Sequence, residues 1–406
     1  MTHDEHDANT ENAVNDEHDE SGKKTVAILG AGTIGQVHAE VVRRHSKLRV
    51  AAVIDPDETA RHKLVEHVAH TTGATPAAFA SLTEAIQAGG IDLVAVCVPT
   101  GMHAAAVSEA LAADINVLVE KPIDVSLPEA RRLTALADEA AQRGVLCSIV
   151  SQHRFDPASA AVAAAIADGR MGRITSAVAT VPLWRGQDYY DSAPWRGTWA
   201  LDGGGALMNQ GVHTVDLLAW LLGRPLEVFA HTAVLAHEGI EVEDVAAATI
   251  RFASGALAVL HATTAAYPGL AVRLQIHGSE GSAVLHDDQL EYFHVAGQGT
   301  GETAGPYGGS EPDNQATRVV PPSEIRGNPK PADAFIAGHL RQYEEVVEAM
   351  ESGRPPAVTA QDGLTALALV HAVYVSATLR RPVEISALLA GDYDDVVLSI
   401  NGAEAP

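Results

Sequence analysis

Apolar runs and helical stripes alternate along the first 150 residues. Thr25-Val-Ala-Ile-Leu29 is a short apolar run, followed by a glycine-rich turn, a helical pattern, and a second run from Arg49 to Ile54. Residues 57–70 read as a helix, and Ile91–Val98 as a strand buried on both faces. Pro99-Thr100-Gly101 breaks that strand, and a helix continues through Ala112. Asn116–Val119 is a short strand that ends in Glu120-Lys121-Pro122. A helix from Ser126 to Arg143 follows, with Ser126 and Glu129 spaced as a capping box, and then a strand from Val145 to Val150. Such alternation predicts a parallel sheet with helices on both faces.

After residue 150 the pattern changes. A helix (Pro157–Ala167) and a strand (Ile174–Leu183) lead into a loop rich in Trp, Tyr, Arg and Gly, then a helix from Gly205 to Leu222. Strand-like runs follow at Leu226–Leu235, Val242–Phe252, Ala256–Ala265, Ala271–His277, Ser282–His286 and Leu290–Val295, with glycine in the turns. This predicts hairpins in an open, mostly antiparallel sheet. Residues 297–332 are rich in Gly and Pro and read as a surface loop, and two helices, Asp333–Glu351 and Ala360–Leu379, close the chain. No internal repeat is present.

The turn after the first strand is Gly30-Ala-Gly32-Thr33-Ile34-Gly35, and the second strand ends at Asp55. Strand, glycine turn, helix, strand and acid form the context that a dinucleotide-binding Rossmann motif requires. Gly30 permits the tight turn, Gly32 lets the backbone approach a pyrophosphate, and Gly35 lets helix and strand pack closely. The helix N-terminus offers free N–H groups to phosphate. Asp55, 20 residues after Gly35, is placed to accept hydrogen bonds from ribose hydroxyls. It would repel a 2′-phosphate, so NAD is expected over NADP, with Arg61 the cation nearest to an exception. An empty Rossmann domain is the alternative. The expected fold class is α/β. A Rossmann domain with a parallel sheet occupies residues 23–150, and an α+β domain with a large open sheet occupies 151–395.

A chain of 406 residues is too long for one ordinary domain. Its net charge of −25 disfavours nucleic acid and anionic membrane surfaces as partners. Residues 1–22 form an acidic tail that is expected to be disordered. His3, His6 and His18 lie in it among acids, and a solvated tail is favoured over a metal site. No metal is expected elsewhere. No signal peptide is recognised, and no apolar stretch is taken to reach transmembrane length. Cys97 and Cys147 sit in apolar strands and read as buried thiols. A cytoplasmic protein is expected.

Ligands of an open α/β sheet bind beyond the carboxyl ends of its strands. Three strand ends qualify: Pro99-Thr100, Glu120-Lys121-Pro122 and Gln152-His153-Arg154. Lys121 is held between a glutamate and a proline, and its cation would stabilise an alkoxide; a surface salt bridge is the alternative. In Gly203-Gly-Gly-Ala-Leu-Met-Asn209-Gln-Gly-Val-His213-Thr-Val-Asp216, Asn209 and His213 share one helix face, and Asp216 is in reach of His213. The glycines permit close approach of a ligand or of the other domain. A histidine here suits proton transfer, although a lone helical histidine is more often part of the core.

Together GAGTIG, Glu120-Lys121-Pro122, Arg154-Phe155 and GGGALMNQGVHTVD resemble the glucose-fructose oxidoreductase / inositol dehydrogenase (Gfo/Idh/MocA) family, from residue 24 to about 385. The resemblance implies NAD(P)-dependent hydride transfer between a secondary hydroxyl of a sugar, cyclitol or polyol and nicotinamide. Lys121 and His213 match the family's catalytic lysine and histidine. Asn209 stands where the family usually has aspartate, and would orient His213 or the substrate. Cofactor contacts are expected from Gly30, Gly32, Thr33, Ile34, Gly35, Asp55, Pro99, Thr100, Glu120 and Lys121. His103 borders that site and also suits a structural role. Substrate contacts are expected from Arg154, Tyr189, Trp195, Arg196, Asn209 and His213; packing at the domain interface is the alternative for the loop aromatics. The resemblance also implies a homodimer or homotetramer joined through the second sheet. Two other functions are weighed, a redox-neutral glycoside-cleaving enzyme with retained NAD and a non-catalytic NAD-sensing regulator. The presence of Lys121 and His213 argues against the latter.

Overall fold

Two sheets organise the chain in the computed structural model, which describes residues 22–297 and 313–400. The acidic tail up to residue 21, its three histidines, and residues 298–312 of the expected surface loop lie outside the described residues.

The first sheet has six strands: β1 (Lys24–Leu29), β2 (Leu48–Ile54), β3 (Ala77–Phe79), β4 (Leu93–Val96), β5 (Asn116–Val119) and β6 (Cys147–Ile149). Their order is β3-β2-β1-β4-β5-β6 and every pair is parallel. Between them run α1 (Thr33–Arg44), α2 (Glu58–Thr72), α3 (Leu82–Ala88), α4 (His103–Ala112) and α5 (Leu127–Ala141). The period of two sends alternate side chains to opposite faces. Ala27, Leu29, Val94 and Val96 join the core under α4 and α5, while Val26, Ile28, Leu93 and Ala95 join the core under α1 and α2.

The second half adds α6 (Pro157–Ala167), β7 (Ile174–Pro182), α7 (Gln187–Asp191) and α8 (Val212–Leu222). Six strands follow: β8 (Pro225–Ala233), β9 (Val245–Phe252), β10 (Leu257–Thr263), β11 (Arg273–Gly278), β12 (Gly281–His286) and β13 (Gln289–Val295). The chain closes with α9 (Ala334–Ser352), α10 (Ala360–Leu379), β14 (Val383–Glu384) and α11 (Ile385–Ala390). The second sheet runs β13-β12-β11-β7-β10-β9-β8-β14. It is antiparallel except at its centre, where β7 and β10 are parallel because a long excursion joins them. In β9 buried and exposed residues alternate, as in a sheet with one covered face.

Two helices make the halves one body. α9 crosses back to the first sheet, where Tyr343, Val346, Val347 and Ala349 complete the core under α1. Arg44–Asp333 (2.6 Å) and Lys47–Glu351 (2.7 Å) flank that contact. α10 lies between the halves, against α5 on one side and α8 and β8 on the other. Most of its residues are buried, and its apolar surface runs all the way round. This corrects the expectation about apolar length: α10, with 20 residues, is long and apolar enough to cross a membrane by length and composition. That apolarity is used inside the fold. β3, α3, α7, β14 and α11 were not expected; all are short, and short elements carry little periodic signal.

Candidate active site

The glycine turn has the geometry that a pyrophosphate requires. Gly30 has φ +102°, and a Cβ on Gly35 would lie 1.9 Å from the Gly30 carbonyl oxygen. A Cβ on Gly32 would meet nothing within 4 Å, so open space lies in front of the turn. α1 begins without a side-chain cap, whereas Asp57, Ser81, Ser126 and Thr359 cap α2, α3, α5 and α10. Its first N–H groups are thus left for an anion. Gly32 and Thr33 are exposed there. Asp55 accepts from Ala31 N (2.7 Å) and Asp57 N (2.8 Å), which fixes its carboxylate at the end of β2. The Arg61 guanidinium donates to the Asp55 carbonyl. These features fit a dinucleotide.

A cleft of about 440 Å³ continues past the strand ends, lined by Ile34, Pro99, Thr100, His103, Glu120, Lys121, Trp195, Asp202, Asn209 and His213, among others. A second cavity of about 350 Å³ lies against the second sheet, lined by His153, Arg185, Asn209, His213 and Asp288, among others. Asn209 and His213 border both, so a small molecule in the second cavity meets the cleft at His213.

Lys121 leaves β5 through a cis peptide to Pro122 and points its ammonium at the Asn209 carbonyl, 3.4 Å away. Burial lowers the lysine pKa, and Glu120 and Asp202 oppose the shift. Glu120 accepts from His38 at 2.9 Å, lies 3.8 Å from His339, and receives the Lys121 N–H at 3.1 Å. Burial alone would raise its pKa; the histidine contacts hold it well below the ordinary value. His38 also meets Tyr343 Oη at 2.7 Å. Glu120 therefore ties the lysine loop to α1 and α9. By spacing, His38, Glu120 and His339 could also hold a metal ion; the far ring nitrogens of the two histidines contact Tyr343 Oη and the Phe335 carbonyl. His103 contacts two backbone carbonyls, Pro122 at 2.9 Å and Val98 at 3.0 Å, which makes it a brace of the cleft wall.

His213 is half-buried and makes no hydrogen bond to Asp216. Burial, then Lys121 and His153, push its pKa well below the ordinary value, so its imidazole is neutral and can accept a proton. The His153 ring stands edge-on to it, with centroids 4.9 Å apart. His153 bonds Asp156 (2.8 Å) and lies 3.2 Å from Asp288. Burial would lower its pKa, but these two acids raise it.

Asp216 has a different partner. Arg154 grips it at 2.8 and 2.6 Å and reaches Asp362 at 3.2 Å. This corrects the expectation of substrate contact at Arg154: the guanidinium is buried, committed to α8 and α10, and holds the helix that carries His213. Asn209 likewise makes no bond to His213. Its amide donates to Asp202 (2.8 Å) and to the Gly204 carbonyl (3.2 Å), which holds a carboxylate beside Lys121. Trp195 lines the cleft. Tyr189 and Arg196 stack together beside it, 4.2 Å from guanidinium carbon to ring centroid.

The expected helix from Gly205 opens as a π turn, Leu207–Gly211, before α8. Such wide turns are frequent at functional sites. Close approach explains the glycines before it. A Cβ would lie 2.7 Å from Val125 at Gly203, 2.3 Å from Tyr374 at Gly204 and 1.7 Å from the Glu243 carbonyl at Gly205. These neighbours are protein, including Val125 of the first half, and not ligand. Glu243 accepts from Gly205 N (2.9 Å), Leu207 N (2.8 Å) and Tyr374 (3.0 Å). Sequence reasoning missed Asp202 and Glu243. Asp202 adjoins the glycine run and was within reach of it; Glu243 carries no local signal.

The family model described as "Oxidoreductase family, NAD-binding Rossmann fold" matches residues 24–148, and "GFO/IDH/MocA C-terminal domain" matches 159–284. Inositol 2-dehydrogenase of Rhizobium meliloti is 28% identical over 88% of this chain and 98% of its own length. Myo-inositol 2-dehydrogenase of Thermotoga maritima is 25% identical over 90% and 99%. The crystal structure of the WlbA dehydrogenase from Chromobacterium violaceum, in complex with NADH and UDP-GlcNAcA, is 29% identical. It covers 89% of this chain and 96% of its own, with a TM-score of 0.74.

Burial raises the Glu243 pKa from its ordinary 4.5 to about 7, against the hydrogen bonds that favour the carboxylate. Between those values the folded chain holds a proton that the unfolded chain releases. This contribution is thus complete below pH 4.5 and is lost as pH rises through 7, by about 3 kcal/mol at ~1.4 kcal/mol per pH unit. Glu243→Gln should remove that dependence. Urea unfolding of both proteins from pH 4.5 to 8 should show the wild type losing about that much relative to the variant. Parallel pH profiles would exclude the role.

Proposed function

The chain belongs to the GFO/IDH/MocA oxidoreductase family, and on that premise we propose that it transfers a hydride between nicotinamide and a secondary hydroxyl of a sugar, cyclitol or sugar derivative. One observation carries the reading: Lys121 and His213 border the same cleft, where the open strand ends meet a second cavity sized for a small polyol. Bound NAD supplies the hydride acceptor. The neutral His213 imidazole takes the hydroxyl proton. The Lys121 ammonium, held by the Asn209 carbonyl and kept cationic by the charges of Glu120 and Asp202, stabilises the oxygen as charge develops on it. Asn209 acts through Asp202. The relatives named for inositol and the UDP-GlcNAcA complex support a polyhydroxylated ring as substrate.

Lys121→Ala should lower kcat about 10²–10³-fold, the range for loss of one group that stabilises an oxyanion. Its affinity for NADH, measured by fluorescence titration, should stay near wild type, because the phosphate contacts lie at Gly30–Gly35. A variant that keeps most of its turnover would remove the lysine from the chemistry.

NAD is the proposed cofactor. The Asp55 carboxylate is fixed by two backbone N–H groups where a 2′-phosphate would sit, and the nearby Arg61 is turned onto the Asp55 carbonyl. The kcat/KM with NAD should exceed that with NADP by at least about tenfold, the worth of one unfavourable charge contact. Equal efficiencies would refute the assignment.

A homodimer or homotetramer through the second sheet is also proposed. Its uncovered face presents Phe229, Leu257 and Val259, 37%, 60% and 49% exposed, and apolar surface of this kind marks association. Sedimentation at micromolar concentration should give a dimer or tetramer, and charged substitutions at Leu257 and Val259 should dissociate it. A stable wild-type monomer would overturn this.

A further inference from the structure

Arg185, which lines the second cavity, and Arg196, which follows Trp195 of the cleft, form no ion pair among the described residues, in a chain with 52 acids and 27 Lys and Arg. Arg185 donates once, to the Trp184 carbonyl at 2.9 Å. Arg196 has a buried Nε with no acceptor. Arg154, Arg273 and Arg341, by contrast, are paired with Asp216, Glu291 and Asp156. Both unpaired guanidinium groups pack on one ring, that of Tyr189, at 5.4 and 4.2 Å from its centroid, and Arg196 also lies 4.6 Å from the Trp195 ring.

We infer that Arg185 and Arg196, mounted on Tyr189, receive an anionic group of the substrate, a carboxylate or a phosphate. The inference rests on the hydride-transfer reading above and narrows its substrate class. Stacking on an aromatic face fixes the plane of a guanidinium and leaves its edge donors for a planar, bidentate acceptor. A buried donor without an acceptor is unfavourable until something fills it. Arg185 lines the same cavity as His213, so an anion held there belongs to the molecule whose hydroxyl reaches the base. Three nearby acids spend their hydrogen bonds on other groups, although Asp202 also lies within Coulombic reach of Arg196. Asp202 accepts from Gly197 N and Asn209, both at 2.8 Å. Asp287 accepts from Val272 N at 2.9 Å, and Asp288 bonds Lys330 at 3.1 Å.

The test is calorimetric titration of the full chain, saturated with NADH, with D-glucose, D-glucuronate and D-glucose 6-phosphate. Either or both anions should bind about ten- to a hundredfold more tightly than glucose, the range for a charge-assisted contact. The two anions separate carboxylate from phosphate. The double variant Arg185→Gln/Arg196→Gln should lose the preference while its affinity for NADH is kept. Equal binding of glucose and both anions, no measurable binding of either anion at millimolar concentration, or an unchanged preference in the double variant would each overturn the inference. If NADH itself fails to bind, the oxidoreductase reading falls with it.

Discussion

The helix that carries His213 depends on one buried glutamate. Glu243 takes the Gly205 and Leu207 N–H groups and the Tyr374 hydroxyl at the point where the chain turns into the π turn and α8. The approach is close enough that a Cβ at Gly205 would overlap the Glu243 backbone. The three glycines thus follow from packing against Val125, Tyr374 and Glu243. They also explain why Asn209 and His213 face the cleft: the helix start is pinned before either residue is reached. The Gly205 and Leu207 N–H groups at that end are satisfied by a side chain from the loop that leads into β9, as a buried helix terminus requires.

A second set of buried polar ties positions the groups across the cleft. Arg154 joins the turn after β6 to α8 and α10 through Asp216 and Asp362. Glu120 joins the lysine loop to α1 and α9 through His38 and His339. Partial loss of such networks is costly in a low-dielectric interior, so each tie favours a single geometry. Lys121 and His213 come from different halves of the chain, and their mutual placement rests on these contacts.

The nucleotide half of the fold was legible in the sequence because its signals are local. The period of the strands, the glycine turn and Asp55 fall within about thirty consecutive residues, and β5 and α10 have the limits that the apolar pattern gives. Lys121 and His213 were singled out through their motifs, and the structure brings both to one cleft. The ties between them were not legible. Arg154 looked like a ligand contact because Asp216 and Asp362 lie 62 and 208 positions away, and Asp216 looked like a partner of His213 because it is three residues on. Glu243 lies 131 positions from Tyr374. Pairings at such separations leave no periodic trace, so they are visible only after folding.

The return of α9 to the first sheet sets the order in which the protein can be assembled on the ribosome. The face of β1 and β4 that carries Val26, Ile28, Leu93 and Ala95 is completed by Tyr343, Val346 and Val347. These residues are synthesised about two hundred positions after β6. A nascent chain with all six strands of that sheet still shows an uncovered apolar face, which is a liability during elongation. The nucleotide-binding half is therefore not a portable cassette. A chimera that exchanges the first 150 residues must bring α9 with them, or redesign the seam it fills.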